Sequence, residues 1–113
     1  MDFTQEKIEH CVSLIRTYLK GPNTKEVVDG LLHDLGGLPV LFALADVQLT
    51  RRPFEDIKTT ILRVFRFNYI CKQVFEDSNL LVIFEKSLKH TSGEIRVLAA
   101  TLMELISQNT CQD

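Results

Sequence analysis

Apolar residues in this chain recur at steps of three and four, in short runs cut by glycine, proline and small polar clusters. That spacing gathers side chains on one side of an α-helix and scatters them over both faces of a strand. No period-two run competes with it, so the chain is predicted to be all-α. Ile8, Cys11, Val12, Ile15, Tyr18 and Leu19 form the first stripe. Asp2 or Thr4 is placed to cap it by accepting an orphan backbone N–H, and Gly21-Pro22 ends it. Thr24 caps a second segment striped by Val27, Val28, Leu31, Leu32 and Leu35, which Gly36-Gly37 breaks. Pro39 sits where a first helical turn loses no hydrogen bond, opening a third segment through Leu41, Phe42, Leu44 and Ala45.

Gln48 to Arg52 reads as a polar loop, and Pro53 opens a fourth helix on Phe54, Ile57, Ile61, Leu62, Val64 and Phe65. Tyr69 to Phe75 either continues that helix or makes one separate turn. Glu76-Asp77-Ser78-Asn79 is a turn rich in capping residues, followed by a helix on Leu80, Leu81, Ile83, Phe84 and Leu88. Thr91 and Glu94 have the spacing of a capping box before a last helix on Ile95, Leu98, Ala99, Leu102, Leu105 and Ile106. About six helices are expected.

The stripes repeat. Leu38-Pro39-Val40-Leu41-Phe42 matches Leu80-Leu81-Val82-Ile83-Phe84 at an offset of 42 (38 to 80). Ile57, Ile61, Val64 and Phe65 match Leu98, Leu102, Leu105 and Ile106 at 41 (57 to 98). A period of this length is the range of two- and three-helix solenoid repeats.

On these residues the chain resembles the armadillo repeat family. Gly36-Gly37-Leu38-Pro39-Val40-Leu41 is similar to the family's turn into its second helix, and Val74-Phe75 with Leu80-Leu81 resembles the same junction. Thr59 to Phe65 and Ala99 to Leu105 resemble its long third helix. The resemblance spans residues 24–110 and implies a short right-handed superhelical stack, with 1–22 as an N-terminal capping helix and repeats at 24–68 and 69–110. A compact non-repeat helical bundle is the alternative, since it produces the same stripes. Val64 and Glu104 stand where the family's peptide-reading members carry ladder asparagines. Neither pairs with a peptide backbone as an amide does, which counts against peptide reading of that kind and leaves the family's other uses, such as helix docking or dimer formation. Two repeats are few for a solenoid. The expectation is therefore either the N-terminal part of a longer solenoid or a last helix pair that packs on a partner or on a copy.

Length and composition bound the function. The 113 residues suit one domain, and 45% hydrophobic with 25% charged residues is globular composition. Thirteen basic residues against fifteen acidic ones give a net charge of −2, which disfavours bulk attraction to nucleic acid or anionic membrane. Cys11, Cys71 and Cys111 are odd in number and widely spaced, which reads as free thiols in a reducing compartment. With no membrane-length apolar run and no signal core at the N-terminus, the expected location is cytoplasmic or nuclear.

Nothing in the residues assembles catalytic chemistry. His10, His33 and His90 fall in different elements, and no nucleophile-elbow, zinc-protease or phosphate-loop pattern occurs. The carboxylate pairs Glu55-Asp56 and Glu76-Asp77 stand where helix-start and turn roles suffice. No enzyme activity, cofactor or metal is expected. The feature that carries a functional expectation is a basic patch of Arg51, Arg52, Lys58, Arg63, Arg66 and Lys72. Arg52, Thr59, Arg63 and Arg66 fall on roughly one side of the fourth helix and its entry. They suit an acidic or phosphorylated segment of another protein. In the aromatic cluster Phe65, Phe67, Tyr69 and Phe75, Phe67 lies off the core stripe and is the member placed to be exposed or to face a neighbouring unit, while core packing under the short segment at 69–75 is the favoured expectation. A non-catalytic protein-interaction module is thus expected, an adaptor or scaffold. The alternatives are a self-associating unit or, less favoured by charge, a nucleic-acid-associated helical module.

Overall fold

The first helix, α1 (Gln5–Leu19), starts where Thr4 accepts the Lys7 N–H at 3.1 Å and ends before Gly21. A hydrogen bond from the Tyr18 hydroxyl to Asn23 Oδ1 (2.6 Å) spans the turn that follows. A computed structural model describes residues 2–110 of the chain, Thr110 by its backbone alone, and Cys111 lies outside them. Seven helices occur among the described residues, and no strand: α1, α2 (Lys25–Leu35), α3 (Leu38–Val47), α4 (Pro53–Val64), α5 (Asn68–Glu76), α6 (Ser78–Leu88) and α7 (Gly93–Thr110). The chain divides into two compact units, residues 1–61 and 62–113, the division falling inside α4.

In the first unit, α2 packs on both α1 and α3. Thr24 caps α2 through the Val27 N–H (3.3 Å). Two glycines end it: Gly36 takes φ +104° in the left-handed region, and Gly37 takes φ +104° with ψ 174°. Their N–H groups both donate to the Leu32 carbonyl, at 3.0 and 2.8 Å, which closes the helix end as a Schellman-type turn does. The chain emerges into α3 at 66° to α2, with Pro39 in the first turn. Ile15, Val28, Leu41, Leu44 and Ile57 are fully buried in this unit. Gln48, expected in a polar loop, is buried at the C-cap of α3, where its N–H donates to the Leu44 carbonyl.

In the second unit α5, α6 and α7 pack pairwise on one another. The expectation of about six helices is corrected here, because α5 is an independent helix of nine residues. The ladder of α4 tightens at its end, with Arg66 and Phe67 N–H groups donating three residues back, to Arg63 and Val64. It restarts at Asn68, with the Ile70 and Cys71 N–H groups on the Phe67 carbonyl. This bend lets Phe65 and Ile70 both reach zero exposure. The Phe65 carbonyl accepts the Cys71 thiol at 3.3 Å. Asp77 alone separates α5 from α6, and its carboxylate accepts the Asn79 and Leu80 N–H groups at 2.9 and 3.4 Å.

Two boundaries differ from the sequence expectation. The last helix begins at Gly93, so Ser92, whose carbonyl accepts the Arg96 N–H, precedes it in place of Thr91. The Arg96 guanidinium instead holds the His90 and Thr91 carbonyls, at 2.6 and 3.0 Å. The starts of α3 and α6 are 40 residues apart (38 to 78), where the matched pentapeptides are 42 apart. Asp77 caps α6 at once, whereas the two glycines delay α3. Burial follows the sequence register in part: Val40 is buried where Val82 is exposed, and Leu41 and Val64 are buried where Ile83 and Leu105 are half-buried. Leu38 and Leu80 are both buried, as are Ile57 and Leu98, Ile61 and Leu102, and Phe65 and Ile106.

Candidate interaction surface

The face of α4 that a partner could reach is narrower than its sequence suggests. Phe54, Ile57, Thr60, Ile61 and Val64 are buried, and Asp56, Lys58, Leu62 and Arg63 are half-buried. Only Glu55 and Thr59 are exposed within the helix. Thr60 is polar and fully buried, and its hydroxyl donates to the Asp56 carbonyl one turn back (2.8 Å), which satisfies it without an outside partner. The Lys58 ammonium is engaged locally, 3.1 Å from Glu55 and 5.9 Å from the centre of the Phe54 ring.

The five residues singled out in the sequence therefore have different standings. Arg52 is exposed in the entry to α4, and Thr59 is exposed one and a half turns into it; both belong to the first unit. Arg63, Arg66 and Phe67 belong to the second. Arg63 is half-buried and already engaged, while Arg66 is exposed in the turn beyond the helix end. Phe67 is half-buried rather than exposed; its ring meets Tyr69 edge-on, centroids 5.8 Å apart. The large exposed aromatic is Phe75 at 54%, on α5, where core packing was expected. Val82, Leu88 and Val97 are the other exposed large apolar residues of the second unit, Val97 at 67%, and Val47 that of the first.

A second surface, not anticipated from the sequence, lies along α1. Gln5, Glu9, Ser13, Arg16, Thr17 and Lys20 edge a groove of about 430 Å³, floored by Ile8 and Val12 and closed by Gln48 and Pro53. Arg16 is fixed at this groove by the Asp56 carboxylate of α4, 3.2 Å away. Gln5 donates to Glu9 at 3.3 Å.

Groups with chemical reactivity are dispersed. Among the described residues no three His, Cys, Asp or Glu side chains come together as a metal site would need. His90 is committed as an acceptor from the Ser92 N–H (2.9 Å), and His33 lies 3.5 Å from the exposed Asp34 carboxylate. Burial pushes the Cys11 thiol up, against a smaller opposing effect of Lys7. Burial does the same to Cys71, opposed by the Asn109 amide that donates to its sulfur at 3.4 Å. Neither is an activated thiolate. No single described helix is long and apolar enough to cross a membrane; α2 and α3 together have the length and composition but are bent at 66°. The chain matches no protein-family model, no curated protein and no solved structure with which it was compared.

Proposed function

We propose that this chain is a non-catalytic protein-interaction module, an adaptor or scaffold, built as a short armadillo-like helical stack of the cytoplasm or nucleus. The observation that carries this reading is the order of helices, α2–α3–α4 and then α5–α6–α7, with four matched pairs buried together: Leu38 and Leu80, Ile57 and Leu98, Ile61 and Leu102, Phe65 and Ile106. Repeats of this kind stack into extended surfaces whose business is recognition. Of the five residues singled out in the sequence, Arg52 and Thr59 of the first unit and Arg66 of the second are exposed, and an acidic or phosphorylated segment is the ligand that the arginines suit.

The test is affinity capture from nuclease-treated extract with wild type and Arg52→Glu/Arg66→Glu side by side, followed by direct binding of the purified partner. A partner that binds wild type and is weakened at least tenfold by the double charge reversal supports the reading. A partner bound equally by both moves the site off α4. Binding of DNA or RNA with a steep salt dependence would replace a protein partner by a nucleic acid.

A second reading, self-association through the second unit, is favoured by Phe75, Val82, Leu88 and Val97, which are large, apolar and exposed.

A further inference from the structure

The groove along α1 has a charge pattern that is its own complement. Glu9 lies toward the N-terminal end of the helix and Arg16 and Lys20 toward the C-terminal end, all on the one flank that edges the groove. Gln5, Glu9, Val12 and Arg16 follow one another at steps of four, three and four, the seam spacing of paired helices. The helix is 15 residues long, or about 22 Å.

We propose that this groove is the contact surface of a homodimer in which α1 of one chain lies antiparallel against α1 of a second copy. A twofold axis passing between Val12 and Ser13 sets Gln5 against Lys20 of the copy and Glu9 against Arg16. Each contact occurs twice, as an isologous interface requires. A parallel pairing sets like charges together and is excluded by the same pattern. Arg16 keeps its Asp56 partner in this arrangement. A guanidinium has five N–H donors, so one carboxylate in a single 3.2 Å contact leaves donors for Glu9 of the copy. Asp56 holds the guanidinium at the groove before the copy arrives, which lowers the entropy lost on pairing. Antiparallel helix dipoles place the positive N-terminal end of α1 beside the negative C-terminal end of its copy, a gain that the Lys20 cation there partly offsets.

The contact is polar and one helix long, so the dimer is a weak one of the small interface class. It is independent of the α4 reading, and adaptor binding and dimerisation can fail separately.

Sedimentation equilibrium from micromolar to millimolar protein, at low salt, tests it. Wild type is expected to show a concentration-dependent monomer–dimer equilibrium that weakens as salt rises. Glu9→Arg, which sets cations against each other twice, is expected to lower association about tenfold. The charge swap Glu9→Arg/Arg16→Glu, combined with Asp56→Lys so that position 16 keeps an opposite charge within its own chain, is expected to restore it, which a merely misfolded variant does not do. In a Cys111→Ser background, Ser13→Cys, next to the axis, is expected to form a disulfide-linked dimer on mild oxidation, whereas Lys7→Cys, on the far flank of the helix, does not. A wild type that stays monomeric throughout overturns the proposal. So does a dimer unmoved by Glu9→Arg, or one abolished by Phe75→Ser/Val97→Ser, which moves self-association to the second unit.

Discussion

Gly37 illustrates how much a single backbone angle decides. Its φ of +104° with ψ of 174° lies in a region that essentially only glycine occupies, and Gly36 beside it is left-handed. A Cβ on Gly36 would stand 3.1 Å from Val40 Cγ2. Gly37→Ala is expected to cost about 1–3 kcal/mol in urea unfolding. Gly30, by contrast, is inside α2 with nothing within 4 Å of an added Cβ. Gly30→Ala is expected to stabilise by about 0.5–1 kcal/mol in the same measurement, through helix propensity. The buried thiols behave alike at this scale. Folding raises the pKa of Cys11 and Cys71 above their ordinary 9.0. The thiols are protonated in both states at neutral pH; above about 9 the unfolded chain ionises first, so this part of the stability is lost as pH rises from there. In a Cys111→Ser background, a thiol reagent at pH 8 is expected to leave both groups unmodified until denaturant is added. Rapid labelling of the native protein would contradict their burial.

At the scale of elements, the corner between α5 and α6 rests on one residue. Asp77 satisfies two orphan N–H groups of α6 and is the whole of the connection. Asp77→Ala is expected to cost about 1 kcal/mol in thermal or urea unfolding, and Asp77→Asn much less, since an amide oxygen caps nearly as well. The restart of the helix at Asn68 explains the exchange of roles between Phe67 and Phe75. Reckoned on a continuous α4, Phe67 points away from the core. Reckoned on α5, whose buried stripe is Ile70, Cys71 and Val74, Phe67 lies on the core side and Phe75 at its edge. The break resets the phase by which all later residues are placed.

For the whole molecule, α4 and α7 show what neighbours do to helices with matching stripes. Thr60 and Thr101 match at the 41-residue offset, and each hydroxyl donates to the carbonyl four residues back. Thr60 is fully buried, whereas Thr101 is exposed. Outward residues of α7 such as Val97, Ala100 and Glu104 are exposed, so Val97→Asp is expected to change stability by no more than about 0.5 kcal/mol. Phe65 is at the other extreme, with no exposure and its ring edge-on to Phe84 at 5.8 Å. Phe65→Ala is expected to cost about 3–5 kcal/mol. Chemical denaturation of both variants checks the contrast.

The all-α character, the stripes of α1, α2, α4 and α7, the cap at Thr24, and the glycine break after α2 were determined by the sequence alone, which left the cap of α1 between Asp2 and Thr4. Each depends on interactions within a few residues, and local spacing encodes those completely. The basic residues around α4 were legible as a set, but their standing was not. Burial of Arg63 to half its surface, the covering of Thr60, the exposure of Phe75 and the groove beside α1 all depend on residues distant in the chain. Arg16 and Asp56 are 40 positions apart and meet at 3.2 Å. Tertiary structure decided these because exposure is a property of what packs against a residue, and no periodicity within a helix records its neighbours.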